Sequence, residues 1–187
     1  ENGDDIATDI EIVKPGARAV TARTVPSGSG EIKLTLTHFV EDQTWADHLT
    51  GTVAAAIPVL EEVTGVPYPG PLDLRINERA RQELWGYAGM AGCYETICGI
   101  GISPASDDQI LLHELAHIWT HAFFNRWLSE GTAEFLSIEA AELLGLDPSR
   151  PYGFGGSPPF ALETWDDGID FTTASQVAQA REYAGYN

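Results

Sequence analysis

Residues 110–119 read Ile-Leu-Leu-His-Glu-Leu-Ala-His-Ile-Trp, which sets His-Glu-x-x-His in an apolar frame of helical type. Residues four apart share one face of a helix, so His113 and His117 can offer their imidazoles to a single ion. Glu114 lies beside His113, where it can reach a water at that ion without binding the ion. Two imidazoles, a carboxylate base and an open position for water are the parts of a catalytic zinc site, one ion per chain. Such a site needs a third protein ligand. The stretch Trp127-Leu128-Ser129-Glu130-Gly131-Thr132-Ala133-Glu134-Phe135 supplies a candidate in Glu130.

Twelve residues separate His117 from Glu130. That length allows about one more helical turn, a tight reversal and the start of a second helix packed on the first. Glu130 then faces back towards the histidines, and near a helix start its carboxylate suits the dipole. Glu134 shares that face and can accept a hydrogen bond from the far nitrogen of a ligand histidine, His113 first. Gly131 and Ala133 are small, as close packing beside a metal requires. His121 shares the face of His117, but Glu130 is the better-matched ligand, so His121 is expected at the rim. His38 and His48 have no motif around them and read as structural or exposed.

The elements that must position these groups follow in chain order. Asp9–Val13, Arg18–Val25 and Ile32–Phe39 read as short strands, the last with a clear period of two, and Pro26–Gly30 as a turn. Residues 1–40 are thus a small β-region, part of the following domain or appended to it. Thr44–Thr64 reads as a helix with Trp45, Leu49, Val53, Ile57 and Leu60 in one stripe, capped by Asp42 or Thr44 and kinked at Pro58. Leu72–Ile76 alternates as a strand. Gly86–Cys93 and Ile97–Ser103 read as a glycine-spaced hairpin, either plain or presenting an edge to an extended substrate. Ser106 or Asp107 can cap the helix carrying His113. Ser129 can cap a second helix running to about Leu144 and ended by Gly145. A Gly/Pro-rich loop over Tyr152–Pro159, a short helix around Phe160–Trp165 and a helix from Thr172, with no stop signal before Asn187, complete the chain.

The composition bounds the partners. The 187 residues carry 28 acidic and 10 basic side chains, a net charge of −18. That charge repels nucleic acid and anionic membranes, and no apolar run is long enough to span a bilayer. Cys93 and Cys98 are the two cysteines, and their spacing fits a disulfide across the hairpin loop better than a zinc knuckle. With the acidic surface, the pair places the chain outside the cell or in the cell envelope.

His113-Glu114-x-x-His117 followed by Trp127-Leu128-x-Glu130-Gly131-x-Ala133 resembles the gluzincin metallopeptidases, in particular their aminopeptidase-like "MA" group. The likeness extends upstream to Thr64-Gly65-Val66-Pro67-Tyr68-Pro69 and the strand after it, and covers roughly residues 40 to 187. It implies an α+β, zincin-like domain over residues 41–187, with a mixed sheet packed on the helix of the two histidines and on a second helix carrying the glutamate. It also implies hydrolysis of peptide or protein substrates through a metal-activated water, with His113, His117 and Glu130 as zinc ligands and Glu114 as general base. A downstream tyrosine stabilises the oxyanion in that group, and Tyr183 resembles it, with Tyr186 second. The aminopeptidases' Gly-x-Met-Glu-Asn signature has Gly89-Met90-Ala91-Gly92 in its place, without the glutamate that holds a free amine. The spacing between the second and third ligands is also shorter than theirs. The metzincin pattern is absent, since Thr120 and Phe123 stand at its glycine and last histidine. A peptide-binding or sensor domain that keeps the metal and hydrolyses little is the alternative.

Overall fold

The computed structural model describes residues 16–94, 97–148, 165 and 173–185. Five strands, β1 (Arg18–Ser27), β2 (Gly30–Phe39), β3 (Asp73–Glu78), β4 (Gly89–Tyr94) and β5 (Ile97–Ile102), form one sheet in the order β1-β2-β3-β5-β4. The outer pairs β1/β2 and β4/β5 are antiparallel hairpins, whereas β2/β3 and β3/β5 are parallel. Parallel neighbours need a crossover, and α1 (Gln43–Thr64) provides it between β2 and β3. Helices α2 (Asp108–Thr120), α3 (Arg126–Leu143) and α4 (Gln176–Gly185) follow. The architecture is the expected α+β one: a mixed sheet packed on the helix of the two histidines, with a second helix carrying Glu130.

Strand alternation decides which face is covered. In β2, Ile32, Leu34, Leu36 and His38 are buried, while Glu31 and Lys33 on either side of Ile32 are exposed. Leu74 and Ile76 of β3 and Ile100 and Ile102 of β5 continue that buried face. They join the α1 stripe of Leu49, Val53, Ile57 and Leu60 and the apolar residues of α2 in one core. One helix-covered face and one wet face explain the period of two.

Several local expectations are corrected. The β1–β2 turn is Gly28-Ser29 alone, because Pro26 pairs with Glu31 inside the ladder. A proline is tolerated there since β1 is the outer strand among the described residues. Asp42 occupies the α1 N-cap without a side-chain capping bond, because the 3-10 turn Val40–Asp42 runs directly into the helix. Pro58 lies within α1, which continues to Thr64. The hairpin strand begins at Gly89 rather than Gly86, after a 3-10 turn at Arg81–Leu84 that leaves Trp85 and Gly86 with positive φ. The strand at Asp9–Val13, the loop at Tyr152–Pro159, the helix around Phe160–Trp165 (apart from Trp165) and Tyr186 lie outside the described residues. So do the side chains of Cys93 and Cys98, and with them the expected disulfide; their backbones are register partners. No described helix is long and apolar enough to cross a membrane.

The one-sided burial is testable. Ile76, fully buried in the central strand, should cost about 2–5 kcal/mol when cut to alanine. Val20, on the exposed face of β1, should cost about 0.5 kcal/mol or less. Urea unfolding followed by circular dichroism measures both, and equal losses would contradict the packing described.

Candidate metal centre

Helix α2 enters the core almost whole: Leu111, Leu112, Leu115, Ala116 and Ile118 are buried, and so are His113 and Glu114. Of the two proposed caps, Asp107 serves, accepting the Ile110 N–H at 3.0 Å. After a reversal, α3 starts at Arg126 with Asn125 as N-cap, so Ser129 is not the cap. The helix begins nearly one turn earlier than expected because the Leu128 and Ser129 N–H groups already bond Asn125 O. Ser129 Oγ turns instead to Thr120 Oγ1 at 3.1 Å. Ala133, Leu136, Ser137, Ala140 and Ala141 bury the inner face of α3, and Glu130 and Glu134 lie on the side towards the histidines.

Three donor atoms converge. His113 Nε2 lies 3.1 Å from His117 Nε2 and 3.3 Å from Glu130 Oε2, and His117 Nε2 lies 3.4 Å from the same oxygen. Donors about 2.0–2.1 Å from a tetrahedral ion stand about 3.3 Å apart. The triangle therefore fits an ion of zinc's size, and two imidazoles with one carboxylate form a ligand set of the kind zinc takes. Among the described residues it is the one His/Cys/Asp/Glu group whose atoms could share a metal.

The surroundings orient these donors. His113 Nδ1 meets Glu134 Oε2 at 3.0 Å, the partner expected from the sequence. His117 Nδ1 meets Thr120 Oγ1 at 3.2 Å and Ser129 Oγ at 3.4 Å. Such bonds fix which nitrogen points its lone pair inward. In the metal-free chain, burial opposes a charge on His113, but hydrogen bonds to Glu130 and Glu134 outweigh it and push His113 up to about 10. Burial likewise opposes charge on Glu130, and the two histidines reverse that, holding its carboxyl well below the usual range. The centre thus already demands a positive charge.

Glu114 stands beside the triangle, not in it. Burial pushes its carboxyl up, and the nearby histidines and the Ala91 N–H work the other way. Gly89 is what makes room: a Cβ there would lie 2.7 Å from Glu114 Cγ and 2.8 Å from Oε1. The groups open onto a cleft of about 410 Å³, walled by Gly89–Gly92 of β4 on one side and the start of α3 on the other, with Trp85, Tyr87 and His121 at its edges. His121 is exposed, and its Nδ1 bonds Ile118 O at 2.8 Å, so it joins the rim and not the triangle of donors. His38 is buried against Thr21, and His48 pairs with Asp108 on the surface. The backbone of Tyr183 lies in α4, and its side chain lies outside the described residues.

Arg126, Glu182, Thr120 and Ser129 belong to this neighbourhood and escaped the sequence reading. Ser129 sits inside the Trp-Leu-x-Glu motif, which hinted at it. Nothing local marked Glu182, whose contacts lie far away along the chain.

No family model matches the chain, and no curated protein matches it. Among solved structures it is similar to an M1 zinc metallopeptidase from Deinococcus radiodurans, at 22% identity and a TM-score of 0.45. It is also similar to a mutant form of that enzyme, at 22% identity and 0.46, and to a mutant of a two-domain M1 zinc metallopeptidase bound to L-tryptophan, at 23% and 0.44. Each match covers 68% of this chain and 30% of the other, so the chain spans under a third of their length.

Purified protein should hold about one zinc per chain by atomic emission, and Glu130→Ala should lose it. Glu134→Ala should keep the site but weaken zinc about 10–100-fold, the usual effect of removing a histidine's outer partner. Unchanged zinc in Glu130→Ala would exclude the triangle as the site.

Proposed function

We propose that this chain is a zinc-dependent peptide-bond hydrolase domain of gluzincin type. The observation that supports it most is the convergence of His113 Nε2, His117 Nε2 and Glu130 Oε2 within hydrogen-bond distance of one another, with the buried carboxylate of Glu114 at the same cleft. Structural zinc sites are closed, mostly by four thiolate or imidazole ligands, whereas three ligands beside a cleft leave a position for substrate. The chemistry that bound zinc supplies is Lewis acidity, which polarises a carbonyl and acidifies water.

The chain's own residues do the rest. Glu114 takes the proton of the attacking water and returns it to the leaving amine. Its burial raises its proton affinity, which suits a group that must hold a proton between two transfers. Glu134 keeps the His113 ring turned, and Thr120 with Ser129 does the same for His117. Among the described residues β4 is the last strand of the sheet, and it lines the cleft, so its outer edge can pair with an extended peptide. Gly89–Gly92 carries no carboxylate for a free amine, which favours bonds within a peptide over its first bond. The resemblance assigns the oxyanion donor to Tyr183, one residue on from the buried Glu182.

Two variants test the base. Glu114→Gln should bind zinc like the wild type and cut an unstructured peptide mixture about 10²–10⁴-fold more slowly; undiminished cutting would remove Glu114 from the role. Gly89→Ala should also keep zinc, yet lose rate by up to about 10²-fold, because the new methyl displaces that carboxylate. A wild type that binds zinc and cuts nothing would favour a peptide-binding domain.

A further inference from the structure

Glu182, on α4, is buried at 2% exposure and accepts from three side chains. The Tyr87 hydroxyl donates to Oε1 at 2.6 Å, and Trp165 Nε1 donates to Oε2 at 2.8 Å. Arg126 grips both oxygens, Nη1 to Oε2 at 2.9 Å and Nη2 to Oε1. The Arg126 guanidinium also lies 4.2 Å above the Trp165 ring. These bonds draw together the approach to β4, the first turn of α3 and the C-terminal helix at one end of the cleft.

Arg126 has a second carboxylate neighbour. Its Nε lies 3.8 Å from Glu130 Oε1. The other oxygen, Oε2, faces both imidazoles. The arginine therefore stands between a carboxylate that has no metal role and one that is a proposed ligand. The guanidinium is largely shielded from water, at 13% side-chain exposure, and a shielded charge is costly without a partner. The two-point grip of Glu182 helps meet that need, and the contact to Glu130 is the longer one.

We propose that Glu182 is a positioning residue for the metal centre: by holding Arg126 it keeps the guanidinium from closing on Glu130, and so leaves Oε2 of that ligand to the ion. This rests on the metal-site reading given above. When Glu182 loses its charge, the Arg126 guanidinium turns towards Glu130, whose Oε1 its Nε already approaches at 3.8 Å, and competes with the metal for it. The effect reaches the metal through Arg126, not through the fold of α4, and that sets its signature.

The test is a double-mutant cycle on zinc affinity, read by competition with a chromophoric chelator, with Co(II) absorption as a second readout. Glu182→Gln should weaken zinc about 10–100-fold and shift the Co(II) bands. In an Arg126→Gln background the same change should have little effect, within about threefold, because the competing cation is gone. An equal loss in both backgrounds would show a plain structural role and overturn the inference. So would an unchanged affinity in Glu182→Gln while the wild type binds zinc, and that result leaves the metal centre standing. A wild type that takes no zinc overturns both. Circular dichroism checks each variant; if Glu182→Gln does not fold, Glu182→Met, which also removes the charge at similar length, takes its place in the cycle with the same expected signs.

Discussion

The structure depends on one costly arrangement: a buried imidazole, His113, held between the carboxylates of Glu134 and Glu130 across two helices. Charged and polar groups leave water at a price of several kcal/mol each unless they are paired. The pairing here runs between α2 and α3, so the distance between these helices is fixed by side-chain chemistry as well as by apolar contact. Ala116 on α2 and Ala133, Ala140 and Ala141 on α3 are all buried, and such short side chains let the helices approach closely enough for the bonds to form. Larger residues would part the two helices and leave three ionisable groups without partners.

The rest of the fold holds that pair in place. The sheet backs α2 through β4 and β5, while α1 crosses behind α2 and α3. The far end of α2 is pinned by the loop after α1. Trp119 Nε1 donates to Val66 O at 3.1 Å, and its ring meets the buried Tyr68 edge-on at 5.6 Å. Gly70 completes this contact, since a Cβ there would lie 2.7 Å from Ile118. The loop at residues 65–71 thus braces the helix that carries the two histidines against sliding along its own axis.

Charge tells the same story at the site and over the whole chain. Glu114, Glu130, Glu134 and Glu182 cluster around the centre, with Arg126 the cation that bonds to Glu182. Without a metal, a proton on His113 offsets part of the excess. A divalent cation offsets it more fully, so the site is electrostatically ready for one before any substrate arrives. The net charge of −18 adds to that field and extends it over the surface.

What the sequence determined by itself was local. Two histidines four apart must share a helix face, and a carboxylate beside the first cannot share that face, so the imidazole pair and the carboxylate separate without any fold being known. The alternation of Ile32, Leu34 and Leu36 set the covered side of the sheet for a similar reason. The Trp-Leu-x-Glu stretch marked Glu130, and its periodicity marked Glu134. Tertiary structure alone decided what came from distant chain. Gly89 and Ala91 frame Glu114 because β4 pairs at the sheet's edge against α2. Ser129 falls inside α3, not at its cap, because the helix already starts at Arg126, and its hydroxyl meets Thr120 and His117 instead. Glu182 met Arg126 across 56 residues. Periodicity fixes which way a side chain faces within its own element; which groups meet between elements depends on how the elements pack, and no spacing along the chain encodes that distance.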